Sequence, residues 1–103
     1  MDKNGALEIA SRYVNYLIST KNIAIKKAFL FGSYAKGTQN QNSDIDIAIV
    51  LPNQYDTFEM QIQLMLFARN FSLDIEPHPI KEEDFSKSNP MASEIIKTGI
   101  GIC

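Results

Sequence analysis

Apolar residues recur along the first part of the chain with the period of an α-helix. From Ala6 to about Thr20 they lie three or four positions apart, at Leu7, Ala10, Val14, Leu17 and Ile18. This spacing places one apolar stripe along a helix, which would be buried against a core. Asn4 lies where its side chain could cap the first amides of the helix, and Lys21-Asn22 is the predicted end.

Two further runs predict buried strands. The run Lys26–Phe31 is wholly apolar over its last four residues and meets Gly32, as expected for a short central strand. Ser33–Lys36 could form one helical turn, and a polar connection follows it. The run Asp44–Leu51 alternates polar and apolar residues before it becomes continuously apolar and ends at Pro52. It predicts a strand that is buried along its length but open at its start.

The second half of the chain predicts a long helix, a third strand and a short final helix. Tyr55–Asn70 has apolar residues at near-helical spacing and contains no Gly or Pro. Phe71–Glu76 alternates polar and apolar residues and stops at Pro77, which predicts a strand. Pro90–Lys97 predicts a helix that ends near Gly99, where a left-handed cap residue is favoured.

Composition and charge exclude several classes of protein. A chain of 103 residues with 45% hydrophobic and 21% charged residues is typical of one globular domain, here residues 1–103. The net charge of -2 provides no basic field for a long nucleic acid. No run approaches the ~20 apolar residues of a membrane span. The only cysteine, Cys103, gives no sign of an oxidising compartment, so we expect a soluble, cytoplasmic protein.

The candidate chemistry lies at the ends of the first two predicted strands. Asp44 and Asp46 project from the same face because side chains alternate along a strand. Two neighbouring carboxylates repel each other unless a cation binds them, and hard oxygen ligands suit Mg²⁺ or Mn²⁺. Gly32 allows close backbone approach, Ser33 can donate hydrogen bonds to phosphate oxygens, and Lys36 could add positive charge. A nucleoside triphosphate held between the Gly32-Ser33 pair and the metal-binding aspartates would present its α-phosphorus for in-line attack. The reaction would then be nucleotidyl transfer.

Other interpretations of these residues fit less well. An EF-hand loop is excluded because Asp44–Ala48 continues into an apolar strand. A P-loop is excluded because no Gly-rich loop ends in Lys-Ser or Lys-Thr. The large apolar residues of the second long helix are interpreted as core or interface residues: Phe58, Met60, Met65 and Phe67.

The segment Phe31–Gly37, followed by Ser43–Ile47, resembles the signature of the DNA polymerase beta nucleotidyltransferase superfamily. In that signature a Gly-Ser pair precedes an Asp-x-Asp by about ten residues, and here ten positions, Tyr34 to Ser43, separate them. The likeness to the minimal nucleotidyltransferases covers nearly the whole chain. It implies an α+β fold of the polymerase-beta-like nucleotidyltransferase type, with a small mixed β-sheet and helices packed on one face.

The resemblance also implies roles for individual residues. It implies that Gly32 and Ser33 contact the triphosphate of ATP or another NTP, with Lys36 nearby, and that Asp44 and Asp46 bind the metal. Lys36 stands where Arg is commoner in the family, which would weaken bidentate contact with phosphate.

A third acid on the neighbouring strand is implied as well; it would complete the metal site and help to deprotonate the attacking hydroxyl. Asp74 and Glu76 lie two residues apart and share a face of the predicted strand, so either could be this third acid. Glu76 is slightly favoured, because it lies in an Ile-Glu-Pro-His run found in one branch of the family. His78, the only histidine, lies between two prolines and is predicted to be an exposed or half-packed side chain rather than a nucleophile.

The family suggests a partner for the chain. Many minimal nucleotidyltransferases are encoded beside a HEPN-domain protein as toxin and antitoxin, and some transfer AMP from ATP to a tyrosine of that partner. The resemblance thus implies a Mg²⁺-dependent transferase that modifies a hydroxyl of a HEPN-type protein. The alternative is a binding subunit with weak or absent turnover that masks its partner through an apolar helix face. A small-molecule acceptor is disfavoured because so short a chain has little surface to enclose it, which points to a second subunit or a homodimer.

Overall fold

The computed structural model describes all 103 residues as four helices, a 3-10 turn and a four-stranded sheet. The elements in chain order are α1 (Lys3–Ser19), β1 (Lys27–Phe31), α2 (Ser33–Lys36), β2 (Ile45–Leu51), α3 (Thr57–Ala68), β3 (Ile75–Lys81), the turn Glu82–Asp84, α4 (Pro90–Thr98) and β4 (Ile100–Gly101). The strand order is β3-β2-β1-β4. Strand β1 is antiparallel to β2 and β4, whereas β2 is parallel to β3. The prediction of an α+β fold with a small mixed sheet is confirmed.

The main core lies between one face of the sheet and the two long helices. Alternate residues of β2 enter it, together with the buried sides of α1 and α3. The fully buried aliphatic side chains stabilise the fold by about 1.5–3 kcal/mol each. The hydroxyl of Tyr13 on α1 donates a hydrogen bond to the carbonyl of Leu64 on α3, with an oxygen–oxygen distance of 2.7 Å, which ties the two helices together. Both long helices thus pack on one face of the sheet, as predicted.

The opposite face of the sheet is only partly covered. Its small apolar cluster contains Phe31, Ala48, Ile80 and Ile95, the last of which comes from α4. The short helix α4 therefore packs on this second face, which differs from the prediction that the helices pack on one face, and it leaves the beginning of β2 and β3 open. The remaining side chains on this face are available for chemistry.

The third strand differs from its prediction. It begins at Ile75 and continues through Pro77 and Pro79 to Lys81 rather than ending at Glu76. Strand β3 lies at the edge of the sheet, where a proline whose nitrogen faces away from the neighbouring strand removes no ladder hydrogen bond. The carbonyl of Pro77 accepts a hydrogen bond from Gln61 on α3, so the carbonyl and ring nitrogen of Pro77, which point the same way in a strand, are not used in the ladder with β2.

The ends of two helices also differ from prediction. Asp2, not Asn4, caps α1 and accepts a hydrogen bond from the amide of Gly5 at 2.8 Å. Gly99 has φ -69° and is extended rather than left-handed, because the chain continues directly into β4. Strand β4 has only two residues and is absent from the prediction, since so short a strand shows no periodicity.

Of the large apolar residues of α3, Met60 is buried and Phe67 packs against the core, but Phe58 is exposed. Met60, Leu64 and Ala68 face the core, whereas Phe58, Ile62 and Leu66 are exposed. No helix in the chain has both the length and the apolar character to cross a membrane.

Candidate active site

The site forms where β1 ends and where β2 and β3 begin. Asp46 lies beside Phe31 of β1 on one side and beside Glu76 of β3 on the other. Because β1 is antiparallel to β2, the residues that follow Phe31 lie next to the start of β2. The topology therefore brings the Gly32-Ser33 corner and the aspartates together.

Gly32 is in direct contact with the carboxylate of Asp46. Its backbone angles, φ 75° and ψ -151°, are strained for residues with a side chain. A Cβ atom at this position would overlap Oδ2 of Asp46, so the absence of a side chain allows the carboxylate to approach the backbone. Ser33 follows as the first residue of α2. The predicted meeting of the two motifs is thus present in the structure.

Asp46, Glu76 and His78 form a cluster on the open face of the sheet. One ligand atom from each residue lies within 4.8 Å of the others, and all three side chains are half-buried. Nε2 of His78 lies 3.1 Å from Oδ1 of Asp46, and the imidazole ring packs edge-on against Phe31. His78 was not among the predicted site residues. Its position two residues after Glu76 would have placed it on the same face, had Pro77 not been read as the end of the strand.

Asp44 lies just before β2 and reaches the same cluster through Glu76. The pKa of Glu76 is raised above its ordinary value, first by a side-chain hydrogen bond with Asp44 and then by partial burial. The charges of Asp44 and Asp46 raise this pKa further, whereas the nearby His78 lowers it. Closely spaced carboxyl groups of this kind are the electrostatic situation that a bound cation relieves.

Asp74 takes no part in the cluster. It is exposed and lies just before β3, where its amide donates to the hydroxyl of Ser72 and its carbonyl accepts from the amide of Ile45. Of the two acids that the sequence left open, Glu76 is the one that the structure places beside Asp46.

Lys36 forms an ion pair with Glu94 of α4. The side chains of Lys36 and Glu94 are 42% and 43% exposed, so solvent weakens the attraction between them. The amine that the sequence predicts as a phosphate contact is therefore paired with an acid on another element.

The chemistry of this donor set fits a divalent metal. The carboxylates of Asp46 and Glu76, with Asp44 beside them, provide the hard oxygen ligands that Mg²⁺ and Mn²⁺ prefer. The imidazole of His78 lies within hydrogen-bonding distance of Asp46, the position from which partners of metal ligands commonly orient them.

The fold and the site define a nucleotidyltransferase-type architecture, in which carboxylates on adjacent strands face a Gly-Ser corner. Residues 15–103 match the family model described as Polymerase beta, Nucleotidyltransferase. The chain therefore belongs to this family.

Two curated proteins are similar to parts of the chain. A protein of Methanocaldococcus jannaschii, named provisionally as a protein adenylyltransferase, is 50% identical over 44 residues, which are 43% of this chain and 44% of that protein. The protein adenylyltransferase MntA of Shewanella oneidensis is 57% identical over 28 residues, which are 27% of this chain and 20% of MntA. The matches thus span less than half the length of either relative.

Solved structures share the fold over most of the chain. A toxin-antitoxin structure with AMP-PNP has a TM-score of 0.66 and 24% identity, and the match covers 90% of this chain and 72% of that one. A Shewanella oneidensis complex of a tri-AMPylated HEPN toxin with an MNT antitoxin has a TM-score of 0.60 and 19% identity, and the match covers 94% and 71% of the two chains. At these identities the likeness shows a common fold.

Proposed function

We propose that this protein is a cytoplasmic, Mg²⁺-dependent adenylyltransferase that transfers AMP from ATP to a hydroxyl of a HEPN-type partner and thereby acts as an antitoxin. The observation that carries the proposal is the contact between Gly32 and Asp46, since it joins the phosphate-binding corner to the metal-binding acids. Similarity to named protein adenylyltransferases and to the fold of an antitoxin bound to an AMPylated HEPN toxin supports the choice of substrate and partner.

Each residue of the site has a role in this proposal. Asp44, Asp46 and Glu76 would hold the metal, and a bound metal would supply positive charge to offset the negative charge of the triphosphate during transfer. Gly32 keeps the backbone close to the Asp46 carboxylate, and Ser33 donates to phosphate oxygens.

The partner supplies the attacking hydroxyl. The carboxylate of Glu76 acts as the base that accepts the proton of this hydroxyl. The alternative, Asp74, lies outside the cluster. The acceptor oxygen bonds to the α-phosphorus as the bond to the β-phosphate oxygen breaks, so that AMP is transferred and pyrophosphate leaves.

The direct test is transfer of label from α-labelled ATP to the product of the neighbouring reading frame in the presence of Mg²⁺. We expect label in the partner with wild-type protein. We expect none when Asp44 and Asp46 are both replaced by alanine, although the double variant should still bind the partner. If the double variant transfers no label but still neutralises the toxicity of the partner, the protein would instead be a masking subunit without a catalytic role.

Replacement of Glu94 by glutamine should increase the affinity for ATP. The change removes the acid that competes with the triphosphate for Lys36, and an exposed ion pair of this kind contributes at most about 1 kcal/mol, or about fivefold in Kd. Calorimetric titration with ATP would measure the effect. In a Lys36→Ala background the same change should have no effect, and an equal gain there would show that Lys36 is not the link.

Replacement of His78 by alanine should reduce AMP transfer by about tenfold, because the Asp46 carboxylate would lose the group that orients it. The concentration of Mg²⁺ needed for half-maximal rate should rise in parallel. His78→Gln should recover part of the loss, since a glutamine amide can donate to Asp46. An unchanged metal dependence in the alanine variant would contradict this role.

A further inference from the structure

The outer face of α3 is an apolar surface in an otherwise ordinary small domain. Phe58, Ile62 and Leu66 are 77%, 51% and 66% exposed, and Leu73, beyond the end of the helix, is 80% exposed. The three helix residues are four positions apart and therefore lie on one side of α3, opposite the residues that enter the core. We call Phe58, Ile62, Leu66 and Leu73 the α3 patch.

The α3 patch has the size and composition of a protein interface. Its four side chains expose roughly 500 Å² of apolar surface, within the range of the largest, often functional, patches on monomeric proteins. One side of a standard interface buries about 800 Å², of which about 65% is apolar in homodimers, which is also roughly 500 Å².

The helical part of the patch carries little charge. Between Thr57 and Asn70 only Glu59 and Arg69 are charged. The guanidinium of Arg69 already donates hydrogen bonds to the backbone carbonyls of Met65, Leu73 and Ile75, so it would stay satisfied when covered. Removing this surface from water would leave no new cation without partners.

The position of the patch decides which molecule could cover it. Helix α3 packs on the face of the sheet that carries the main core, whereas Asp46, Glu76 and His78 lie on the opposite face. A protein that presents an acceptor to these acids must approach that second face. Contact through α3 would keep both the acids and α4 free, which suits a second copy of this chain.

The pattern of the patch is also self-complementary. The side chains Phe58 and Leu66 are placed symmetrically about Ile62, four residues on either side. In a two-fold, antiparallel pairing of α3 with its copy, Ile62 would face Ile62 and Phe58 would face Leu66. We propose that this protein forms a homodimer through the α3 patch, with its two candidate active sites directed outward. This inference is independent of the proposed function.

The test is the oligomeric state of the full chain and of one matched pair of variants. Light scattering after size exclusion and sedimentation equilibrium, up to about 200 µM, should give the mass of two 11.6 kDa chains for the wild type. Ile62→Glu should raise the dimer Kd at least about a hundredfold, because two-fold symmetry buries two unpaired carboxylates. Ile96→Glu on α4, where the isoleucine is 43% exposed, should leave the dimer intact.

Circular dichroism and thermal melting establish that both variants fold, which is expected since both side chains are exposed in the monomer. A wild type that stays monomeric over the whole range would overturn the proposal, as would a dimer that Ile62→Glu leaves unchanged. A monomeric wild type whose Ile62→Glu variant no longer binds a HEPN-type protein would also overturn it and assign the patch to that partner.

Discussion

Replacement of Asp46 by asparagine is expected to reduce AMP transfer by at least about a hundredfold, or about 2.7 kcal/mol of transition-state stabilisation. Asparagine keeps the size of the side chain and its contact with Gly32 but removes the charge that would bind a cation. The measurement is the initial rate of label transfer from α-labelled ATP at saturating Mg²⁺.

The same change should alter the free energy of unfolding by less than about 1 kcal/mol. Asp46 loses its attraction to His78, but the neighbouring Glu76 is relieved of a like charge. Thermal or urea unfolding of the variant therefore separates loss of chemistry from loss of fold.

Asp74→Asn provides the matched control for this prediction. Asp74 is an acid of the same type, two residues before Glu76, but it is exposed and lies outside the cluster. Its replacement should leave transfer within about twofold of wild type. If Asp74→Asn and Asp46→Asn were equally impaired, the assignment of the metal site to the cluster would be wrong.

The parts of the site that could be predicted from the sequence rest on local patterns. Alternation along the predicted strand Asp44–Leu51 puts Asp44 and Asp46 on the same face, and the apolar run before Gly32 predicts the end of a buried strand. Both patterns involve neighbouring residues, so they are independent of how the chain packs. The pairing of β1 with β2 then brings the two motifs together.

The parts that could not be predicted depend on the position of an element in the fold. A proline ends most strands in the interior of a sheet. Pro77 is tolerated within β3 because β3 lies at the edge of the sheet. Because the predicted strand ended at Glu76, His78 was not placed on the same face as Glu76 and was left out of the predicted site. The edge position of β3 is a property of the whole sheet and leaves no mark in the sequence near Pro77.

The orientation of α3 could not be predicted from the sequence either. Apolar residues occupy both the stripe of Met60, Leu64 and Ala68 and the stripe of Phe58 and Ile62, so that helical periodicity alone does not identify the buried side. Leucine occurs in both stripes, since Leu64 is buried and Leu66 is exposed, so the size of the side chains does not identify the buried side either. An exposed stripe of this kind is explained by an interface better than by folding.

Replacement of Gly32 by alanine is expected to impair both stability and transfer. Any residue with a side chain is strained at φ 75° and ψ -151°, which should cost about 1–3 kcal/mol of unfolding free energy. In addition, the new Cβ would overlap Oδ2 of Asp46 and force the carboxylate to move. A displacement of about 1 Å at such a group can reduce the rate by about a hundredfold.

Gly37→Ala separates these two effects. Gly37 also has positive φ, at 77°, but nothing lies within 4 Å of the position that its Cβ would occupy. This variant should lose about 1–2 kcal/mol of stability and keep nearly full transfer, because it imposes backbone strain without moving Asp46. Unfolding curves and transfer rates of both variants, measured below their melting temperatures, would test the difference. Equal loss of transfer in the two variants would mean that backbone strain at the ends of α2, rather than the position of the Asp46 carboxylate, limits the reaction.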